Sequence, residues 1–150
     1  MNYDISLNLS PDWIREEDRY EEVDGAMITH LECHLPGPEE GKYEAILDLY
    51  AGDLPSDTTA EDEAYANYAE IIGWDEEEDD EENPIAQWKF QNRRAYGFSG
   101  ECEDGSIMLL MCVEIIKGGL LICSVIAPDD EKVSKWASYL EANLKVKRSN

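Results

Sequence analysis

At 150 residues, with 35 Asp and Glu against 12 Lys and Arg, the chain carries a net charge of −23. Such a field repels DNA, RNA and anionic membranes and draws in cations and basic protein surfaces, so nucleic-acid and membrane partners are excluded first. A hydrophobic content of 43% still supports a core, and the length fits one domain over 1–150.

Tyr3, Ile5, Leu7 and Leu9 alternate with polar residues, the period of a half-buried strand. Ser10-Pro11-Asp12 ends it, and Trp13 and Ile14 follow as apolar anchors. Arg15 to Asp24 is mostly charged and is read as exposed. Ala26 to Leu35 reads as a second strand, closed by Pro36-Gly37-Pro38. Tyr43 to Ala51 reads as a third, with Tyr43, Ala45, Leu47 and Leu49 on one face and Glu44, Ile46, Asp48 and Tyr50 on the other. Thr58 and Glu61 are spaced as a capping box, and Ala64, Tyr65, Tyr68, Ala69 and Ile72 form a stripe at helical spacing. A helix over Thr59 to Ile72, stopped by Gly73, is predicted.

Eight consecutive acids follow, Asp75 to Glu82, inside a stretch from Lys42 to Lys89 that has no other Lys or Arg. Like charges repel on a helix, so an acidic loop over 75–83 is predicted, with Pro84 marking the return to order. Ile85 to Glu101 holds one or two strands, and Asp104-Gly105 is a hairpin turn. Ile107 to Ile116 is apolar at nine of ten positions, the pattern of a central strand covered on both faces. Leu120 to Ala127 runs back as another strand. Pro128-Asp129 opens a closing helix with Val133, Trp136, Ala137, Leu140 and Leu144 inward, and Lys145, Lys147 and Arg148 complement its C-terminus. The fold class is therefore α+β: a mostly antiparallel sheet of about six or seven strands, with a mid-chain helix and a C-terminal helix packed on it.

This pattern resembles the PsbP-like superfamily, which holds the extrinsic photosystem II subunit, the Ran-binding factor Mog and many bacterial proteins. Tyr3 to Trp13, read as strand and ending Leu-Asn-Leu-Ser-Pro-Asp-Trp, is similar to the strand, Pro, x, Trp opening of that group. Asp57 to Ile72 is similar to its mid-chain helix. Gly118-Gly119, an apolar strand and an amphipathic helix are similar to its ending. The acid run departs from the group's usual pattern. The resemblance implies a binding or accessory module, with no catalytic residues to carry over.

Trp74, Asp75, Glu76, Glu77, Glu78, Asp79, Asp80, Glu81 and Glu82 are the candidate contacts for a basic protein surface; a merely solvated loop is the other reading. A calcium cage is disfavoured, because the run lacks the turn glycine and the alternating ligands. His30, Glu32 and His34 share one face of their strand. At a rise of about 3.3 Å per residue the two histidines stand roughly 13 Å apart, too far to share an ion. That leaves two partly exposed histidines and no metal or cofactor. Cys33, Cys102, Cys112 and Cys123 form no CxxC pair and read as free, mostly buried thiols. Lys89, Arg93 and Arg94 read as partial neutralisation of the acid run. No phosphate loop, nucleophile elbow or HExxH motif occurs.

Met1-Asn2-Tyr3-Asp4 lacks the features of a signal peptide, and Ile107 to Val113 is too short to span a bilayer, so a cytoplasmic protein is expected. The expected function is a non-enzymatic protein-binding or accessory module. Two alternatives are an immunity or inhibitor protein that neutralises a basic partner, and a cryptic enzyme using Cys33 or His34.

Overall fold

The computed structural model describes residues 2–22, 25–55, 57–71 and 85–149. Trp74, the acid run Asp75 to Glu82 and the predicted loop 75–83 lie outside the described residues, as do Ile72, Gly73 and Pro84. The elements are β1 (Asn2–Ser6), β2 (Ile14–Glu21), β3 (Met27–Pro36), β4 (Tyr43–Asp53), α1 (Ala60–Ile71), β5 (Ala86–Phe90), β6 (Arg93–Glu101), β7 (Ile107–Ile116), β8 (Gly119–Ala127), α2 (Asp130–Asn143) and β9 (Lys145–Ser149). The fold is α+β. Seven strands form an antiparallel sheet in the order β2-β3-β4-β8-β7-β6-β5, and β1 pairs with β9 in a second sheet.

Period-two alternation gives the large sheet two faces. One face carries Leu31, Cys33, Leu47, Leu49, Met111, Val113, Cys123 and Val125 into the main core, closed by Val133 and Leu140 of α2 and by Tyr3 and Ile5 of β1. The other face carries Phe98, Leu110, Cys112 and Leu120 into a smaller core beneath Ala60 and Ala64 of α1. Strand β7 feeds both cores, so its apolar run needs no alternation. Asp129 caps α2 as expected, accepting from the Lys132 amide at 2.9 Å. Gly105 turns the β6–β7 hairpin at φ 89°.

Three expectations are corrected, and one segment without a predicted element gains one. The cap of α1 is Thr59, not Thr58: the Asp62 amide donates to Thr59 Oγ1 at 3.1 Å and the Thr59 amide donates to Asp62 at 3.0 Å. Ala60 and Ala64, one turn apart, face the sheet, while Ala69 of the expected stripe is exposed. The first strand ends at Ser6 rather than Leu9, because β9 begins at Lys145, opposite Ser6, and offers no partner beyond it. The charged stretch after Trp13, exposed along Ile14–Glu21 as expected of it, is in addition an edge strand, β2. It is held by backbone pairing to β3, by Arg15 donating to the Leu7 carbonyl at 2.7 Å and by Arg19 pairing with Asp4. Charge along such an edge discourages pairing with other chains. Finally, Lys145, Lys147 and Arg148 do not extend a helix end; α2 stops at Asn143 and they lie in β9.

Candidate functional site

Directly paired residues of neighbouring strands share a face. The register therefore lines up three rows across β2, β3 and β4: Ile14, His34 and Ile46; Glu16, Glu32 and Asp48; Asp18, His30 and Tyr50. The third row continues through Ile122 to Cys112, so these rows share the sheet face that bears α1. Helix α1 lies over β6 and β7. On the β2–β4 side the same face is lined by half-exposed and exposed side chains.

Near the start of β4 the register shifts by one residue, and Glu44 is the extra residue of a bulge. The bulge reverses the two faces expected there. Glu44 turns to α2 and pairs with Lys132 at 2.5 Å, while the Tyr43 ring packs edge-on to His34 at 4.9 Å. Tyr43 thus joins the histidine face.

The centre of this face is polar and ordered by ring contacts. His30 stacks on Tyr50, with centroids 4.1 Å apart and rings 1° from parallel. His30 Nε2 meets Asp48 Oδ1, and His34 Nε2 meets Glu32 Oε1. One donor atom each from His30, Glu32 and Asp48 lie within 4.8 Å of one another. The sequence placed His30 and Glu32 on one face but did not supply the third ligand. Asp48 comes from the neighbouring strand, through the register of the β3–β4 hairpin.

Burial first, then the charges of Asp48, Tyr20 and Glu32 and a hydrogen bond with Asp48, push the Tyr50 phenol up to about 12. It is a neutral donor at physiological pH, not a base. The unfolded chain releases this proton near pH 10, while the fold keeps it until about 12. The native state therefore binds more protons in that window, and stability falls as pH rises through it. Tyr50→Phe is expected to flatten the fall in melting temperature between pH 10 and 12, measured by circular dichroism.

Depressions flank the face at both ends. Beside α1, Ile28, Leu120 and Ile122 floor a cavity of about 510 Å³ rimmed by Glu22, Asp53 and Glu63. Burial, then the charge of Asp62, holds Glu63 above the usual carboxylate range. At the other end Lys42, Tyr43, Ile46, Asp104 and Ile126 line a second hollow.

The four cysteines are free. Cys33 points into the main core, on the opposite face of β3 from His30 and His34, and its burial raises its pKa. The register of β3 therefore does not bring Cys33 and His34 together as a nucleophile and base. Cys112 is buried beneath α1, and burial pushes its thiol up to about 12. Lys89 pairs with Arg94, and Phe90 with Arg93, in the β5–β6 hairpin. Its turn residue Gln91 donates to the carbonyls of Glu141 and Leu144 at 3.0 and 2.8 Å.

No family model matches the chain, and no curated protein matches it. Two solved structures are similar in fold. A crystal structure from Bacteroides thetaiotaomicron VPI-5482 aligns over 97% of this chain with a TM-score of 0.51 and 15% identity. The chain spans about half the length of that structure, 46%. LpqN of Mycobacterium tuberculosis, described as involved in cell envelope biogenesis, aligns over 98% of this chain and 85% of its own, with a TM-score of 0.50 and 14% identity. At such identities the likeness shows the fold alone.

Proposed function

We propose that this chain is a non-catalytic accessory module that docks a basic segment of another protein on the β2–β4 side of its large sheet. One observation carries the reading: Glu16, Asp18, Glu32 and Asp48 stand side by side there with exposed Ile14, Tyr20 and Tyr43. Among the described residues of β2, β3 and β4, no Lys or Arg joins them, since Arg15 and Arg19 reach towards β1 on the other face. Aromatic anchors beside carboxylates with no Lys or Arg among them suit Lys and Arg stems with apolar neighbours. The cavity rimmed by Glu22, Asp53 and Glu63 suits one inserted cationic head.

The resemblance of Tyr3 to Trp13 to the PsbP-like opening supports the same class of module. Asp75 to Glu82 add sequence-borne charge that would steer a basic partner and speed encounter, with Trp74 beside them as an aromatic contact. An inhibitor of a basic protein is the tight-binding limit of this reading, and a cytoplasmic location suits it.

The probe is a synthetic Lys- and Leu-rich peptide, followed by amide chemical shifts. Perturbations are expected along β2, β3 and β4, and Glu16→Lys with Asp18→Lys should weaken binding by roughly tenfold or more. Neutralising Asp75 to Glu82 should slow association while leaving the perturbed residues unchanged. Perturbations confined to α2 or to the β5–β6 hairpin, or equal affinity of the reversed variant, would sink the reading.

A further inference from the structure

The same face poses a problem that docking does not solve. Glu16, Glu32 and Asp48 form one row across three strands, each directly opposite the next. Like charges in directly opposed positions destabilise a sheet, and no Lys or Arg of these strands turns to this face. Among the described residues of these strands, the side-chain nitrogens on this face are two imidazoles, and each directs Nε2 at one of these carboxylates.

We infer that this row holds one divalent transition-metal ion of the zinc type, ligated by His30 Nε2, one oxygen of Glu32 and one of Asp48. The inference is independent of any docked partner. The donor set decides the class of ion. One imidazole with two carboxylates is a borderline set that suits zinc, whereas calcium and magnesium ask for six or more oxygens. The spacing is compatible: a tetrahedral ion about 2.1 Å from each donor separates the donors by about 3.4 Å. The three donors already lie within 4.8 Å of one another, so small side-chain rotations close the site.

The surroundings orient the ligands as metal sites require. The His30 ring is held flat against Tyr50. His34 holds Glu32 from the far side, and its own ring rests on Tyr43. His34 is thus a positioning residue. His30, Glu32 and Asp48 are all half-exposed, which leaves a fourth position for water or a donor from outside. The dication would relieve the row of carboxylates and still leave Glu16 and Asp18 to keep the face anionic.

The test is a competition titration of the metal-free, tag-free chain with Zn²⁺ against a chromophoric chelator. Excess Mg²⁺ occupies the loose sites that so acidic a chain offers. One Zn²⁺ per chain is expected. His30→Ala and the near-isosteric Asp48→Asn should each lower the affinity by at least roughly tenfold, and His34→Ala by less than either. Glu17→Gln, on the opposite face of β2, should leave it unchanged. Co²⁺ should give the intense visible absorption of a tetrahedral site, lost in Asp48→Asn. Absence of one-to-one saturation under Mg²⁺ would overturn the inference; histidines serving only as protonated counter-ions would give that result. So would wild-type Zn²⁺ affinity in both His30→Ala and Asp48→Asn.

Discussion

Gly97→Ala is expected to destabilise the fold by about 3 kcal/mol or more, at the upper end of what overpacking costs. Gly97 pairs with Met111 across β6 and β7 and is buried. A Cβ built there would stand 2.0 Å from the Leu110 carbonyl oxygen and 2.8 Å from the Trp88 ring. The obstacle is not the φ of Gly97 but the backbone of the next strand. The ring could rotate away; the carbonyl could retreat only by opening the β6–β7 ladder. That ladder carries Phe98, Leu110 and Cys112, the floor on which α1 rests. Urea unfolding should show a lower midpoint with an unchanged slope. A midpoint equal to that of the wild type would show that the two strands can separate without cost.

Much of this architecture is legible in the residues because it is local. Ile107 to Ile116 must be covered on both faces, Asp129 must cap and Asp104-Gly105 must turn, and each does so by short-range chemistry. The unforeseen strands lack an apolar signal of their own. Strand β2 has no apolar alternation because neither of its faces is buried, and β9 offers one apolar residue, Val146, between charges. β2 is a strand because the adjacent β3 presents backbone groups to it across a short connection, and β9 because the distant β1 does. Tyr43 and Glu44 exchange faces because a bulge inserts one residue, which alternation alone does not reveal.

The candidate site follows the same rule. His30, Glu32 and His34 share a face by period alone. Whether they meet a ligand depends on which residue of β4 stands opposite, and that is set by the length of the turn between the strands and by the bulge. Sequence spacing argued that the two histidines cannot share an ion, and the geometry keeps them on different carboxylates. What spacing did not show was that Asp48 reaches His30 from across the hairpin. The acid run, the strongest signal in the sequence, needs no cross-strand register to be read. It remains a source of charge in the proposal, while the ordered geometry centres on β3 and β4.

A residue far from the site, Tyr3, ties the small sheet to the large one, and its removal is the second large effect. Tyr3 is fully buried, and its hydroxyl donates to Asp53 Oδ1 of β4 at 2.6 Å and accepts from Arg148 Nε of β9 at 3.0 Å. Its carbonyl accepts from Thr29 Oγ1 of β3 at 2.6 Å. Its ring lies so close over β8 that a Cβ on Gly119 would meet it at 2.9 Å. One side chain thus ties β1 and β9 to β4 and β8, while its own backbone secures β3. Tyr3→Ala removes both the packing and the hydroxyl and is expected to cost about 3–5 kcal/mol, as large aromatic deletions do. Tyr3→Phe keeps the ring and leaves Asp53 and Arg148 without the hydroxyl between them, so about 1–2 kcal/mol is expected. Urea unfolding of the pair separates the two contributions: a phenylalanine variant as weak as the alanine one would place the whole effect in the hydrogen bonds. The Thr29 bond to the Tyr3 carbonyl does not involve the side chain and is open to both variants, so what distinguishes them is the ring, which the phenylalanine variant keeps over β8. The β3–β4 register, and with it the meeting of His30 and Asp48, should therefore persist there. The amide shifts of His30 and Asp48 should match those of the wild type in Tyr3→Phe and move in Tyr3→Ala.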